Sequence, residues 1–267
     1  MRFDDKVVVV TGGGNGIGRQ VVLELLRRGA RVAAVDIRQE SLDETVGLAD
    51  SGDGLSTHVL DITDRDATAE LPGKVIAEHG AVDGVMNVAG IIQPFVRLND
   101  LDYEAIERVI NVNLYGTIHV VKALLPHLLE RPVAHLANVS SMGGFLPVPG
   151  QTIYGASKAA VKLMTEGLYA ELLETNVAVT VVMPGAVSTD ISANSGVDVP
   201  GGAAEEQESS YRTTSPEDAA RIILDGMEED KLHIYVGRDS RMMNLANRAA
   251  PKRSTHMIYR QMKDLLG

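Results

Sequence analysis

The chain of 267 residues contains no cysteine. That removes disulfides, thiolate nucleophiles and cysteine-ligated metals, and it fits a reducing compartment. Long apolar runs are missing too, and none approaches the length needed to span a bilayer. The opening MRFDDKVVVVTGG puts acids before a short valine run and lacks the apolar stretch of a secretory signal. A cytoplasmic protein with no membrane span is expected, so the Asn138–Val139–Ser140 sequon is read as chance. Cations are not in excess: the net charge is −11. Phosphate-backbone binding needs clustered positive charge, so no nucleic-acid partner is expected. The charge is uneven, however. From Arg238 onward seven Lys/Arg meet two Asp/Glu, a local +5 that leaves −16 on residues 1–237. A solvated or subunit-contacting helix accounts for this basic tail, and a docking site for an anionic partner is the other reading. The seven histidines form no H-E-x-x-H or other compact ligand pattern, so no metal is expected.

What is present is alternation. Valine-rich runs bounded by Gly, Asn or Asp predict strands at Lys6–Val10, Arg31–Asp36, Thr57–Leu60, Val82–Asn87, Val133–Val139, Ala178–Met183 and His233–Val236. Amphipathic stretches such as Gly16–Arg28 and Tyr103–Leu129 lie between them, with apolar residues at three- and four-residue spacing. This order predicts an α/β fold, a parallel sheet with helices on both faces. Runs such as VVVV and VTVVM suit strands buried on both sides. No internal repeat and no Pro/Gly/Ser linker interrupts the chain, so a single domain is expected. Residues 190–212, DISANSGVDVPGGAAEEQESSYR, break the rhythm. A long loop after a strand's carboxyl end is read as a substrate lid, with a plain surface insert as the alternative. Thr214–Ser215–Pro216–Glu217 then reads as a helix start.

VVVVTGGGNGIGR runs from a strand through glycines into a helix, the setting in which backbone N–H groups hold a pyrophosphate. The spacing is T-G-x-x-x-G-x-G, at Thr11, Gly12, Gly16 and Gly18, with Asn15 and Ile17 between the glycines. The next strand ends at Asp36, followed by Ile37. An acid about 20 residues past such a loop accepts hydrogen bonds from an adenosine ribose and repels the extra phosphate of NADP. NAD is therefore the expected cofactor, with NADP disfavoured. Arg38 is the one nearby cation that would soften this preference.

Further motifs follow in order: LDIT with Asp61 and Ile62, NVAG at Asn87–Gly90, NVNLYG with Asn113, NVSSMGG with Ser141, YGASK with Tyr154 and Lys158, and PGAVST at Pro184–Thr189. In this set the chain resembles the short-chain dehydrogenase/reductase superfamily, in its common, non-extended branch, over roughly residues 5–237. The resemblance implies a Rossmann-type, doubly wound, mostly seven-stranded parallel sheet, a nicotinamide cofactor, and hydride transfer to or from an alcohol carbon. It assigns Tyr154 as acid/base, Lys158 as its tuning partner and a ligand of the nicotinamide ribose, Ser141 as the partner of the substrate oxygen, and Asn113 as the holder of a relay water. It places Pro184, Gly185, Val187 and Thr189 at the nicotinamide, Asp61 and Ile62 at adenine, and Asn87, Ala89 and Gly90 along the adenosine ribose. It also implies a homotetramer built on the outer faces of the helices holding Asn113 and Tyr154.

The physics of the Tyr154–Lys158 pair agrees. Positions i and i+4 share a helix face, about 5–6 Å apart at Cβ. Bringing a phenol from ~10 to ~7 needs about 4 kcal/mol in favour of the phenolate. A cation at roughly 4 Å, at an effective dielectric near 20, supplies about that much. Burial opposes it.

Three stretches are expected to wall a substrate pocket: Ile91, Ile92, Pro94 and Phe95; Met142, Phe145, Leu146 and Val148; and Ile191. Their apolar character points to a moderately hydrophobic ketone or secondary alcohol, although ordinary loop packing explains them as well. Glu205, Glu206 and Glu208 speak weakly against an anionic substrate, while the basic tail points the other way. The basic extension 238–267 carries Ile258, Met262, Leu265 and Leu266 on one helical stripe, expected to pack on the domain or on a neighbouring subunit. Two other functions stay open: an NADPH-dependent 3-ketoacyl-thioester reductase, and an NAD-sensing protein without turnover.

Overall fold

The structure, a computed structural model, describes residues 1–49, 54–197 and 213–263. Seven strands form one sheet in the order β3-β2-β1-β4-β5-β6-β7. They are β1 Val7–Thr11, β2 Arg31–Asp36, β3 Leu55–Val59, β4 Gly84–Asn87, β5 Ala134–Val139, β6 Val177–Pro184 and β7 His233–Val236. Every neighbouring pair is parallel. The strand order reverses between β1 and β4, the point at which open α/β sheets place their ligands.

Alternation along each strand divides the core in two. Val8, Val10, Val32 and Ala34 face one layer, where Val21, Val22 and Leu25 of α1 (Gly16–Arg27) meet Ile223 and Leu224 of α8 (Pro216–Glu228). Val7, Val9, Ala33 and Val35 face the other, against Leu71 and Val75 of α3 (Arg65–His79) and Val120, Leu124 and Leu128 of α5 (Thr117–Leu129). Both faces are thus sealed by aliphatic side chains, which is why the strands read as continuous valine runs. α2 spans Gln39–Leu48.

The stretch 103–129 is continuous helix, but not of one kind. α4 (Tyr103–Ile110) passes into a π-helical turn at Asn111–Gly116 and then into α5. Such a widened turn inside an α-helix frequently marks a functional site. α6 (Thr152–Glu171) carries Tyr154 and Lys158. α8 begins as its sequence signals, with Ser215 capping the Asp218 N–H at 3.1 Å and Pro216 in the first turn.

Of the 190–212 segment, Ile191–Ser195 form the short helix α7, while 198–212, with Glu205, Glu206 and Glu208, lie outside the described residues. Its two ends are tied together by Ser188 N–H to Thr214 O (3.1 Å) and Thr214 N–H to Ala186 O (2.9 Å). The tail forms α9 (Arg238–Ala249) and α10 (Pro251–Met262). Met243 and Ile258, with Met262, pack on Met142, Phe145 and Leu146, and Asn247 Nδ2 donates to the Phe145 carbonyl at 2.8 Å. Leu265 and Leu266 lie outside the described residues. Among the described residues no helix is long and apolar enough to cross a membrane.

Candidate active site

A cleft of about 770 Å³ opens over the carboxyl ends of β1, β2, β4, β5 and β6. Its floor at one end is the turn from β1 to α1. Gly12 has φ +69°, and a Cβ there would stand 3.0 Å from the Ala89 backbone. A Cβ on Gly18 would collide with the Gly12 carbonyl. Only glycines let the turn fold this tightly, and the result leaves the α1 N-terminus facing the cleft. Asn15 caps that helix, its Oδ1 accepting from Gly16 N–H at 2.6 Å. Backbone N–H groups at an uncluttered helix start fit a pyrophosphate. Gly12, Asn15, Gly16, Ile17 and Gly18 all line the cleft.

Beside them Asp36 ends β2. Its Oδ2 accepts from Gly14 N–H (3.0 Å) and its Oδ1 from Arg38 N–H (3.2 Å), which holds the carboxylate at the cleft edge. Ile37, 61% exposed, and Asp61 and Ile62 form the wall next to it. These residues suit the adenosine half of a dinucleotide, with a diol-accepting carboxylate and apolar flanks. Ala89, Gly90, Pro184, Gly185, Val187 and Thr189 also line the cleft.

Asn87 is not on the wall. It is buried in β4, where its Nδ2 donates to Asn138 Oδ1 (2.8 Å) and Asn138 Nδ2 donates to Thr165 Oγ1 (3.0 Å). That chain of amides joins β4, β5 and α6. Asn113 also lies behind the wall, fully buried in the π-helical turn. Its Oδ1 accepts from Ile91 N–H (2.9 Å), and its Nδ2 donates to Ile91 O (2.9 Å) and Ser157 Oγ (3.0 Å). The amide clamps the loop after β4, and Asn113 is not among the residues lining the cleft.

Ser141, Tyr154 and Lys158 do meet at the cleft. Ser141 follows β5, and its Oγ accepts from Gly143 N–H at 3.0 Å. Its hydroxyl lies near enough to the Tyr154 phenol to act on its pKa. Burial pushes the Tyr154 phenol above its ordinary value, and the Ser141 hydroxyl pulls it part of the way back. This differs from the sequence expectation of a phenol lowered by lysine. The reason is geometric: the Lys158 ammonium donates to the Val139 carbonyl at 3.0 Å, and burial lowers it to about 8. Ser140 Oγ donates to the Lys158 carbonyl at 2.7 Å, so consecutive residues at the end of β5 hold the lysine at both its ends.

The substrate wall differs from expectation as well. Ile91, Ile92 and Ile191 line the cleft. Pro94 and Phe95 are not among its lining residues, and Met142, Phe145 and Leu146 pack against α9 and α10. The extension supplies an apolar surface that these side chains bury against. Arg38, read from sequence as a nearby cation, lines the cleft, and so does Asn194, which the sequence did not single out; Asn194 Oδ1 accepts from Arg38 Nη2 (2.8 Å) and Asn15 Nδ2 (3.4 Å). Asn194 fell inside a segment without periodicity, so no sequence signal marked it.

The family model described as short chain dehydrogenase matches residues 6–199. A putative oxidoreductase, SadH, of Mycobacterium tuberculosis is 34% identical over 256 residues, covering 92% of this chain and 91% of that protein. The 3-oxoacyl-[acyl-carrier-protein] reductase FabG of Thermotoga maritima is 37% identical over 230 residues, covering 84% and 91%. Among solved structures, a short-chain dehydrogenase/reductase from Burkholderia phymatum in complex with NAD superposes with a TM-score of 0.84 at 23% identity, covering 95% and 96% of the two chains. A short-chain dehydrogenase from Burkholderia cenocepacia in complex with NADP gives 0.80 at 25%, covering 97% and 99%.

Proposed function

The chain belongs to the short-chain dehydrogenase family of oxidoreductases, and from that premise we propose that it is an NAD(H)-dependent enzyme interconverting a moderately hydrophobic secondary alcohol and its ketone. The observation that carries this reading is the meeting of Ser141, Tyr154 and Lys158 in the same cleft as the glycine turn and Asp36. The nicotinamide bound there would supply the hydride acceptor or donor. The chain's own residues supply the proton. A phenol held above its ordinary value is protonated at neutral pH, so Tyr154 is ready to donate to a ketone oxygen. Ser141 orients that oxygen and shares the developing charge. Lys158, with one N–H spent on Val139, keeps two donors for a ribose and a positive charge that grows in value as the phenol gives up its proton. Asn113 acts as a positioning residue through Ile91 rather than by direct contact.

Asp36 supports NAD over NADP, since its carboxylate opposes a second phosphate. A second reading is an NADPH-dependent 3-ketoacyl-thioester reductase. It draws on the FabG relative and on Arg38, which lines the cleft beside Asp36. A homotetramer is proposed on the outer faces of the helical stretch 103–129, which holds Asn113, and of α6, which holds Tyr154; Tyr103 and Leu163 on them are 82% and 70% exposed.

The test is oxidation of NADH and of NADPH by purified protein of measured oligomeric mass, across aliphatic, cyclic, steroid-like, sugar and acyl-thioester ketones. Tyr154→Phe is run alongside. The expected result is turnover favouring NADH and a loss of at least about 10²-fold in the variant, the scale of general acid catalysis. Near-parental turnover by Tyr154→Phe would sink the assigned role. Tight NADH binding without turnover of any ketone would move the reading to a nucleotide sensor.

A further inference from the structure

Three consecutive residues after β4 reach three different elements of the site. Ile91 is clamped by Asn113. Ile92 N–H donates to Ser195 Oγ in α7 at 3.0 Å. Gln93 reaches α6, and its contacts are the most extensive of the three.

Gln93 is completely buried. Its Oε1 accepts from the backbone N–H groups of Ile153 (2.7 Å) and Tyr154 (3.0 Å). Its Nε2 donates to the Gly150 carbonyl (2.9 Å), and its own carbonyl accepts from Gln151 Nε2 (2.8 Å). Two backbone donors can share only an oxygen, so the orientation of the amide is fixed by its surroundings. The first N–H groups of any helix lack partners within it. In α6 the preceding residue, Gln151, gives no side-chain cap. The cap that Ser or Asp ordinarily provides from the residue before a helix comes here from a residue far away in the chain. One of the two N–H groups it holds belongs to Tyr154.

We propose that Gln93 is a positioning residue that caps α6 from outside the helix and fixes where the Tyr154 phenol stands relative to Ser141. This rests on the oxidoreductase reading above for its effect on rate, and on the four hydrogen bonds for its effect on structure. The loop that carries Gly90 on the cleft wall thereby also sets the height of the catalytic helix. A shift of the nicotinamide side of the cleft would be passed to Tyr154 without a contact between them.

The test pairs amide hydrogen exchange with kinetics in Gln93→Leu and Gln93→Glu. Leucine removes the shared acceptor, and glutamate keeps it. Gln93→Leu is expected to speed exchange at Ile153 and Tyr154 and to lower kcat by about 10- to 100-fold, with the KM for NADH within about twofold. Gln93→Glu, protonated in this fully buried site so that its O–H replaces the Nε2 donor to the Gly150 carbonyl, is expected to keep both amides protected and kcat within about threefold of the parent. On a Tyr154→Phe background, Gln93→Leu is expected to cost less than about twofold more, because the residue it positions is already gone. Equal losses on both backgrounds, or unchanged exchange in Gln93→Leu, would overturn the proposal. If the parent turns over no substrate, the oxidoreductase reading fails on its own, and exchange at the two amides still decides the cap. Should Gln93→Leu not fold, Gln93→Glu decides: protected amides support the cap, and rapid exchange at both with parental kcat rejects it.

Discussion

The two rims of the sheet both bury ionisable groups, and they do opposite things with them. At the amino-terminal rim, Asp83 precedes β4 and His135 is the second residue of β5. Asp83 Oδ2 accepts from Val7 N–H (3.0 Å) and its Oδ1 from Arg131 Nε (2.7 Å). His135 is pushed down to about 3 by burial and stays neutral. At the carboxyl rim, Lys158 is pushed down to about 8 by the same cause, and Tyr154 upward. A shifted pKa therefore reports burial at both ends. What separates Asp83 from Lys158 is satisfaction: Asp83 spends both oxygens inside the fold, whereas Lys158 spends one of three donors and faces a cleft. Perturbed groups mark chemistry where they open onto a pocket.

The sharpest way to test this contrast is Lys158→Met. Activity is expected to fall by at least about 10²-fold. Stability is expected to rise. The lysine's folded value is depressed to about 8 from an ordinary 10.5, so the unfolded chain holds the extra proton between those values. Stability from this group is thus present above ~10.5 and lost as pH falls to 8, and at pH 7 the buried ammonium is a cost. Part of that gain is offset because the Val139 carbonyl loses its donor, leaving about 1–2 kcal/mol net. Urea unfolding at pH 7 measures it, and a destabilised Lys158→Met would break the contrast. Asp83→Ala should behave in reverse. It leaves the buried Val7 N–H without its acceptor and frees the partly exposed Arg131, costing about 1–3 kcal/mol. The kcat of the folded protein is expected to stay within about twofold, since Asp83 lies at the far end of the strands from the cleft.

The same contrast explains what was legible in the sequence. Groups whose partners are close in the chain announce themselves. The valine alternation of β1 and β2, the glycine turn with Asp36, the i, i+4 pair of Tyr154 and Lys158, and the Ser215–Pro216 helix start are local patterns, and the cleft gathers most of the residues they named. Partners distant in the chain leave no periodic mark. The Gln93 contacts with α6, the clamp of Asn113 on Ile91, and the turning of Phe145 and Leu146 toward α9 and α10 each depend on tertiary placement. The direction of the tyrosine's shift depends on tertiary placement in the same way. Spacing places Lys158 beside Tyr154, but the strand end at Val139 decides where the ammonium points.

The smallest expected effect concerns His135, and it tests whether a strongly shifted group can be purely structural. Thr180 Oγ1 donates its one hydrogen to the Lys231 carbonyl at 2.7 Å, so in the 2.8 Å contact between His135 Nε2 and Thr180 the histidine must be the donor. The other nitrogen, Nδ1, is then a bare, buried acceptor 3.6 Å from Asp230 Oδ1. Asp230 is already bonded to the Met1 ammonium at 2.9 Å, which lowers the gain from protonating the imidazole. Because the folded value lies near 3 and the unfolded one near 6.5, the unfolded chain binds the extra proton between them. Stability from this residue is complete above pH ~6.5 and drains as pH falls toward 3. Between pH 6.5 and 5.5 the loss is about 1 kcal/mol. His58 and His79, both lowered chiefly by burial, add to the slope in the same direction. Chemical unfolding of His135→Gln and the parent over that interval isolates the one residue: the variant's slope is expected to be shallower, with unchanged kcat at pH 7. Equal slopes would mean that the imidazole is not the neutral strut this geometry makes it, and a fall in kcat would tie the two rims together.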